Sequence, residues 1–255
     1  MNGRVRSRAW AAVLVGVGLS LAAGSPASAR DVAVAVAANF AAPAQDIAAA
    51  FERATGDHVV LSSGATGQIY EQIVQGAPFE VFLSADAERP RRLAAEGRAA
   101  PGGPVAYALG KLVLYSTQPG LVDGQGAVLT RGGFAHLAIA DPALAPYGTA
   151  AVEVLKHRGA YEAVSPRLVK GASIGQTFSF VSTGAAELGF VALSQLINVQ
   201  GGSRWVPPQA DYARIEQAAV VTAAGRTNPS AARFLRFLQG PDARVIIRRY
   251  GYDIP

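Results

Sequence analysis

Between Asp31 and Gly97 the chain repeats one arrangement three times: a short alternating or β-branched run, then an apolar stripe at helical spacing. "DVAVAVA" leads into "PAQDIAAAFERATG", where Ile47 and Phe51 lie four apart and Gly56 stops the helix. "HVVLSS" leads into a face marked by Ile69, Ile73 and Val74 that ends at Gly76. "FEVFLSA" leads into "AERPRRLAAEG", where Pro90 bends or delays the helix. Strands separated by helices need crossover connections, so three such units in succession predict a parallel sheet covered by helices.

A second series follows the Gly and Pro cluster at 101–104. "ALGKLVLYS" reads as a strand leaving the first lobe, after which "HLAIA", "PRLVKGAS" and "ELGFVAL" are strands, with "YGTAAVEVLKHRG" and "GQTFSFVSTG" as the helices between them. "RIEQAAVVTAA" is a further strand, and "PSAARFLRFLQGPDARVIIRRYG" supplies two closing helices broken at Gly240 and Pro241. The prediction is an α/β chain in two lobes, each a mainly parallel sheet flanked by helices. Lobe one takes residues 30–109 and 219–255 and lobe two takes 110–218, so two segments cross between them and a hinge follows.

The first 29 residues read as a secretory signal. Arg4, Arg6 and Arg8 precede the apolar run "AWAAVLVGVGLSLAA", and Ala27–Ala29 offers small residues for cleavage before Arg30. A membrane anchor asks for roughly 20 uninterrupted apolar residues, whereas this run is shorter and ends at Gly24, Ser25 and Pro26. Three of the 23 basic residues and none of the 18 acidic ones lie in that segment, so the remainder carries a formal charge of only +2. Nucleic acid is therefore not an expected partner, and no basic cluster interleaved with aromatics argues otherwise; "RVIIRRYGY" reads as the solvated face of a terminal helix. The absence of cysteine excludes disulfides, thiolate metal sites, a cysteine nucleophile and a lipidated N-terminal cysteine. The expected location is the periplasm, free of a lipid anchor.

Four strand-to-helix junctions deserve comparison: "ANF" around Asn39, "SSGATG" around Thr66, "DPALAPYGTA" around Tyr147 and "KGASIGQT" around Ile174. Ligands of open parallel sheets bind outside the carboxyl ends of the strands, where helix amino termini also point. These junctions offer hydroxyls, amides and backbone N–H groups, with no Lys or Arg at the tip and Lys170 the nearest cation. A fully deprotonated tetrahedral oxyanion presents only acceptors, which neutral donors and helix dipoles satisfy. A protonated guest such as hydrogen phosphate also needs an acceptor, and Asp86 and Asp141 lie near enough in sequence to keep that alternative. Each residue has a plainer role available: Ser63, Thr66 or Asn39 as helix caps, Tyr147 and Ile174 as packing.

One catalytic pattern is present, the G-x-S-x-G of "GASIG" at Gly171–Gly175. A hydrolase built on Ser173 requires a later histidine, yet His58, His136 and His157 all precede it. "GKLV" lacks the hydroxyl residue that a phosphate-binding loop needs after Lys111. The histidines are not spaced as metal ligands, and His58 and His157 read as structural, so neither a cation site nor a cofactor is expected.

At these junctions the chain resembles the periplasmic molybdate-binding proteins, the solute-binding components of ABC importers. The likeness runs from "VAVAANF" through "ATGQIYEQIVQGAPFEVFLSAD", "AIADPALAPYGTAAVEVL" and "ELGFVAL" to "AARFLRFLQGPDARVIIRRYGY". It implies the two-lobed periplasmic binding protein fold, closing on molybdate or tungstate without metal or cofactor, and delivery by a monomer to an ABC permease with its ATPase. Anion contacts fall, by the resemblance, on Asn39, Thr66, and the backbone amides of Tyr147 and Ile174, with Ala38 and Ala65 adding neighbouring amides. Some members bring a tyrosine hydroxyl from the strand "ELGFVAL", where this chain has Ala192. A sulfate or phosphate receptor of the same architecture, and an exported serine hydrolase using Ser173, are the alternatives.

Overall fold

The computed structural model describes residues 30–255; the expected signal segment, 1–29, lies outside the described residues. The first half contains β1 (Asp31–Ala37), α1 (Ala41–Thr55), β2 (His58–Gly64), α2 (Thr66–Val74), β3 (Val81–Leu83) and α3 (Glu88–Ala95). Gly56 closes α1 at φ 76°, its N–H on the Glu52 carbonyl at 2.8 Å, a left-handed cap that glycine adopts without penalty. Pro90 neither bends α3 nor delays it: it lies in the first turn, where an N–H has no intrahelical acceptor to lose.

The stretch "ALGKLVLYS", expected as one strand, is two. β4 (Val105–Gly110) ends, Lys111 intervenes, and β5 (Leu112–Ser116) begins in the other sheet. Then come α4 (Val128–Arg131), β6 (Leu137–Ala140), α5 (Pro146–His157), α6 (Tyr161–Val164), β7 (Leu168–Gly171), α7 (Ile174–Ser182), β8 (Leu188–Ala192) and β9 (Ser203–Trp205). The chain returns through β10 (Ile215–Val221) to α8 (Pro229–Leu238) and α9 (Pro241–Arg249). α5, α8 and α9 each begin on proline, whose fixed φ suits the first helical position. The short elements α4, α6 and β9, of three or four residues each, carry too little periodicity to be read from sequence.

Two five-stranded sheets result, ordered β2-β1-β3-β10-β4 and β7-β6-β8-β5-β9. In each the first three strands pair in parallel, as the crossover helices require, and the other two pairings are antiparallel. The fourth strand of each sheet is a crossing strand: β10 arrives from lobe two and β5 from lobe one. The division placed at 218/219 falls inside β10, because Ile215 already pairs with Gly110 of β4. Likewise Gly110, assigned to lobe two, is the last residue of β4 in the first sheet.

Strand alternation puts one core on each face of each sheet. In β1, Val32, Val34 and Val36 face a cluster with Phe40, Ile47, Phe51 and Phe234, while Ala35 faces Ile69, Phe82 and Leu93. The Phe51 and Phe234 rings meet edge to face at 5.3 Å, which packs the tail helix α8 against α1 and returns the C-terminal segment to lobe one. In lobe two, Leu137, Ile139 and Phe190 pack beneath α5, and Ala138, Val113 and Val191 beneath α7. The two structural histidines behave as expected: His58 meets Glu52 at 2.7 Å, and His157, last in α5, meets the buried Asp211 at 2.9 Å, with Arg158 on the same carboxylate at 2.8 Å. Among the described residues no helix is long and apolar enough to cross a membrane.

Candidate functional site

Where the carboxyl ends of the two sheets face each other, the chain leaves a tightly closed cavity of about 10 Å³. Lobe one contributes Ala38, Asn39, Gly64, Ala65, Thr66 and Ala85; lobe two contributes Ala145, Pro146, Tyr147 and Ile174. All six residues nominated from the sequence are thus brought to one place, and no charged side chain lines it. A larger and more open cavity of about 490 Å³ adjoins it, lined by the charged rim residues Asp86, Arg89, Glu153 and Arg214 among others. Its size reflects the open mouth of the cleft, whereas the donors converge in the small one.

The junctions are built so that backbone amides remain available. α2 and α5 start after Ala65 and Ala145, neither of which has a side chain to cap the helix. Alanine at that position costs about 1 kcal/mol relative to Ser, Asn or Asp, so the first-turn amides of Thr66 and Tyr147 are left facing the cavity without a local acceptor. Neither Ser63 nor Thr66 acts as the cap that a plainer reading of the sequence allows; the Thr66 hydroxyl instead accepts the Ala85 N–H at 3.4 Å, and its own proton is left to donate. α7 differs, with Ser173 accepting the Gln176 N–H at 3.2 Å. That occupies the hydroxyl on which a hydrolase would depend, and the Ser173 backbone is relaxed at φ −144°, ψ 166°. Three helix amino termini, each equivalent to about half a positive charge, therefore converge on a seat without formal charge.

Asn39 does not serve as the helix cap that a plainer reading allows: it caps neither the 3₁₀ turn Ala38–Phe40, whose cap is Ala37, nor α1, whose cap is Phe40. Both hydrogens of its side-chain amide are engaged behind the cavity, on Gln217 Oε1 and on the Tyr252 hydroxyl, each at 3.0 Å. Asn39 lines the cavity, and with its side-chain hydrogens engaged the donor left to it is its backbone N–H. Tyr107 and Tyr147 join the same enclosed group, and burial pushes both hydroxyls well above the usual tyrosine range. Burial also pushes Tyr252 up, to about 12. All three stay protonated across ordinary pH, so the wall behind the cavity is neutral.

The carboxylates kept as acceptors for a protonated guest are elsewhere. Asp86 is ion-paired with Arg89 and accepts the Arg89 N–H at 2.9 Å, while Asp141 accepts the Ala143 N–H at 3.0 Å. Neither lines the small cavity, and Lys170 is exposed on β7. Ala192 does not line it either: it is fully buried at the end of β8. Its N–H donates to Gln195 Oε1 at 2.9 Å, and the Gln195 amide donates on to the Ile174 carbonyl at 3.1 Å, bracing the start of α7.

Sequence reasoning missed Gln195, Gln217 and Tyr252, and also a local signal. Thr66, Tyr147 and Ile174 are each followed by glycine. A Cβ on Gly67 would stand 3.2 Å from Leu144 of the other lobe, one on Gly148 would stand 2.2 Å from the Ala140 carbonyl, and one on Gly175 would stand 3.4 Å from Ala38. Close approach at the helix start is what Gly67 and Gly148 allow, whereas a Cβ on Gly175 would make ordinary contact. Two hydrogen bonds already cross the cleft, from Gly67 N–H to Leu144 O at 2.8 Å and from Arg89 to Ala143 O at 3.2 Å.

Two α/β lobes, joined by two crossings and meeting at a seat of uncapped helix starts, define a binding protein that encloses a small solute between its halves. Residues 32–253 match the family model described as bacterial extracellular solute-binding protein, and the chain belongs to that family. It is 51% identical to the molybdate-binding protein ModA of Rhodobacter capsulatus over 97% of this chain and 96% of that one. It is also 51% identical to ModA of Azotobacter vinelandii, over 95% and 96% respectively. The solved periplasmic molybdate-binding protein of Azotobacter vinelandii superposes with a TM-score of 0.86 at 44% identity, covering 88% of this chain and 99% of that structure. These relatives are binding proteins, and the chain is read with them as a receptor and not an enzyme.

Proposed function

We propose that this chain captures molybdate, with tungstate as a second ligand, and delivers it to an ABC permease and its ATPase. It works as a monomer in the periplasm, exported on residues 1–29. The observation that carries the reading is the charge-free cavity shared by both lobes, lined by neutral donors and helix starts and by no carboxylate. Such a seat suits a guest that brings only acceptors; a protonated phosphate would leave its own O–H without a partner. Asn39, Tyr147 and Ile174 hold the anion through backbone amides and Thr66 through its hydroxyl as well, with Ala38 and Ala65 adjoining. Closure follows because contacts from both lobes exist only in the closed form, which the ligand therefore favours.

Thermal melts of residues 30–255, stripped of bound oxyanions, test this. At a thousandfold excess over Kd, linkage stabilises by about 4 kcal/mol, a rise of roughly 8 to 16 °C for a chain of this size. The rise is expected with molybdate and tungstate and not with sulfate or phosphate; equal shifts with sulfate would turn the assignment to that anion.

Two substitutions follow. Thr66→Ala removes a hydrogen bond to a charged group, worth about 1.5 to 3 kcal/mol, so molybdate affinity measured by calorimetry should fall at least about tenfold while Thr66→Ser retains it. Unchanged affinity in the alanine variant would take Thr66 out of the site. Arg89→Ala removes a contact across the cleft that does not touch the cavity, so the dissociation rate should rise by about threefold. An unaltered rate would mean that the Arg89 bond to Ala143 does not help hold the closed form.

A further inference from the structure

Gln217 is fully enclosed and does not line the cavity. It lies on β10, the second crossing strand, where the register against β4 slips between Gln217 and Ala218. The extra residue is Tyr107 of β4, left unpaired opposite Gln217 and Ala218; such a bulge re-aims a side chain, and here it brings the Tyr107 hydroxyl to the Gln217 amide at the junction between the lobes. Its Oε1 accepts from Asn39 Nδ2 and from the Tyr107 hydroxyl, both at 3.0 Å, and its Nε2 donates to the Tyr147 hydroxyl at 3.4 Å. Asn39 and Tyr107 belong to lobe one and Tyr147 to lobe two. Tyr252 extends the group, donating to the Asn39 carbonyl at 2.7 Å, and Ser194 of lobe two donates to the same carbonyl at 2.8 Å.

We infer that Gln217 is a positioning residue for oxyanion capture: one hinge amide that holds the Asn39 turn and the Tyr147 helix start in mutual register, so that their backbone N–H groups face the same anion. The inference rests on the proposed molybdate reading and deepens it. The chemistry calls for an amide in particular. It must accept on one side, from Asn39 and Tyr107, and donate on the other, to Tyr147, and among uncharged side chains of this length only glutamine does both. A buried network of this kind specifies one geometry when every member is satisfied, and loses it when one is removed. Gly110 is part of the same fit, since a Cβ there would stand 2.2 Å from the Tyr147 hydroxyl and 2.9 Å from Gln217 Nε2.

The test uses the mature chain, inorganic molybdate and calorimetry, with dissociation followed after a chase and the melting temperature of the ligand-free protein recorded alongside. Gln217→Met keeps length and removes both hydrogen-bonding functions. Its affinity is expected to fall roughly tenfold or more, with faster dissociation. A purely structural role would instead lower the melting temperatures of free and bound protein together and leave the ligand-induced shift intact; affinity within twofold of wild type overturns the inference. Because methionine in so enclosed a place can cost the fold itself, Gln217→Glu gives a second reading. Its protonated carboxyl again offers one donor and one acceptor, so its affinity should recover as the pH is lowered, and weak binding at every pH by a folded Gln217→Glu protein counts against the role. Should wild type itself fail to bind molybdate, the functional reading falls; should wild type bind and both variants bind equally well, only the role of Gln217 falls.

Discussion

A Gly148→Ala variant is expected to lose about a hundredfold in molybdate affinity and roughly 6 to 12 °C in melting temperature. The added Cβ would stand 2.2 Å from the Ala140 carbonyl oxygen, 2.8 Å from its carbon and 2.9 Å from the Asp141 carbonyl carbon. These are backbone atoms at and just beyond the end of β6, and no rotamer change relieves them. α5 must retreat from the sheet by about an ångström to restore ordinary contact, and overpacking of that kind costs about 3 kcal/mol, which for a protein of this length is 2 to 4 °C each. The retreat carries the Tyr147 amide away from the cavity and its hydroxyl away from Gln217. Losing the Tyr147 amide's hydrogen bond to a charged guest costs up to about 3 kcal/mol, or about a hundredfold in affinity. Calorimetric melting and titration with molybdate read both effects. Gly175→Ala is the comparison, since its Cβ would meet nothing closer than 3.4 Å; if the two variants behaved alike, close approach at Gly148 would not be what holds α5 in place.

The second large effect lies away from the cavity. Asp57, buried in the turn between α1 and β2, accepts Arg233 of α8 through Nε at 2.9 Å and Nη2 at 2.6 Å, and the Arg30 N–H at 3.4 Å. Burial pushes its carboxyl up, but the bonds from Arg233, Ser230 and Arg30 outweigh that and hold it below the usual carboxylate range. A carboxyl lowered in the folded state stabilises the fold above its unfolded value, near 3.9, and that contribution is lost as the pH falls through the folded value. Asp57→Asn should therefore cost about 3 kcal/mol at neutral pH, the low end for breaking an enclosed pair because Arg233 is one-third exposed. The gap to wild type should close in acid. Denaturant unfolding at pH 7 and near pH 2.5 measures it, and a gap of equal size at both would show that the charge on Asp57 is not the source.

Much of the binding surface is legible locally because it is made of chain-adjacent parts. The strand, junction and helix of each unit are consecutive, so Thr66, Tyr147 and Ile174 announce themselves as first-turn residues at the carboxyl ends of strands. What lies behind them is not legible in that way. Gln217 is 178 residues from Asn39 and 70 from Tyr147, and nothing near Gln217 in the chain distinguishes it from any polar residue in a buried strand. Asn39 looked like a donor toward the ligand or a helix cap, and only the position of Gln217 and Tyr252 turns its side chain the other way. "ALGKLVLYS" is apolar throughout, and an apolar run does not record that its two halves join different sheets.

By itself the sequence determined the alternation of strands and helices, the two-lobed architecture, and the chemical character of the junctions, neutral and rich in amides. Each of these depends on residues close in the chain, through periodicity, caps and glycine. Tertiary structure alone decided where the chain crosses between the sheets, which hydrogens of Asn39 are spent, and that one glutamine joins both lobes behind the cavity. Those outcomes depend on hydrogen bonds and close contacts between segments 70 to 213 residues apart, and buried polar groups take whichever partners the packed fold presents.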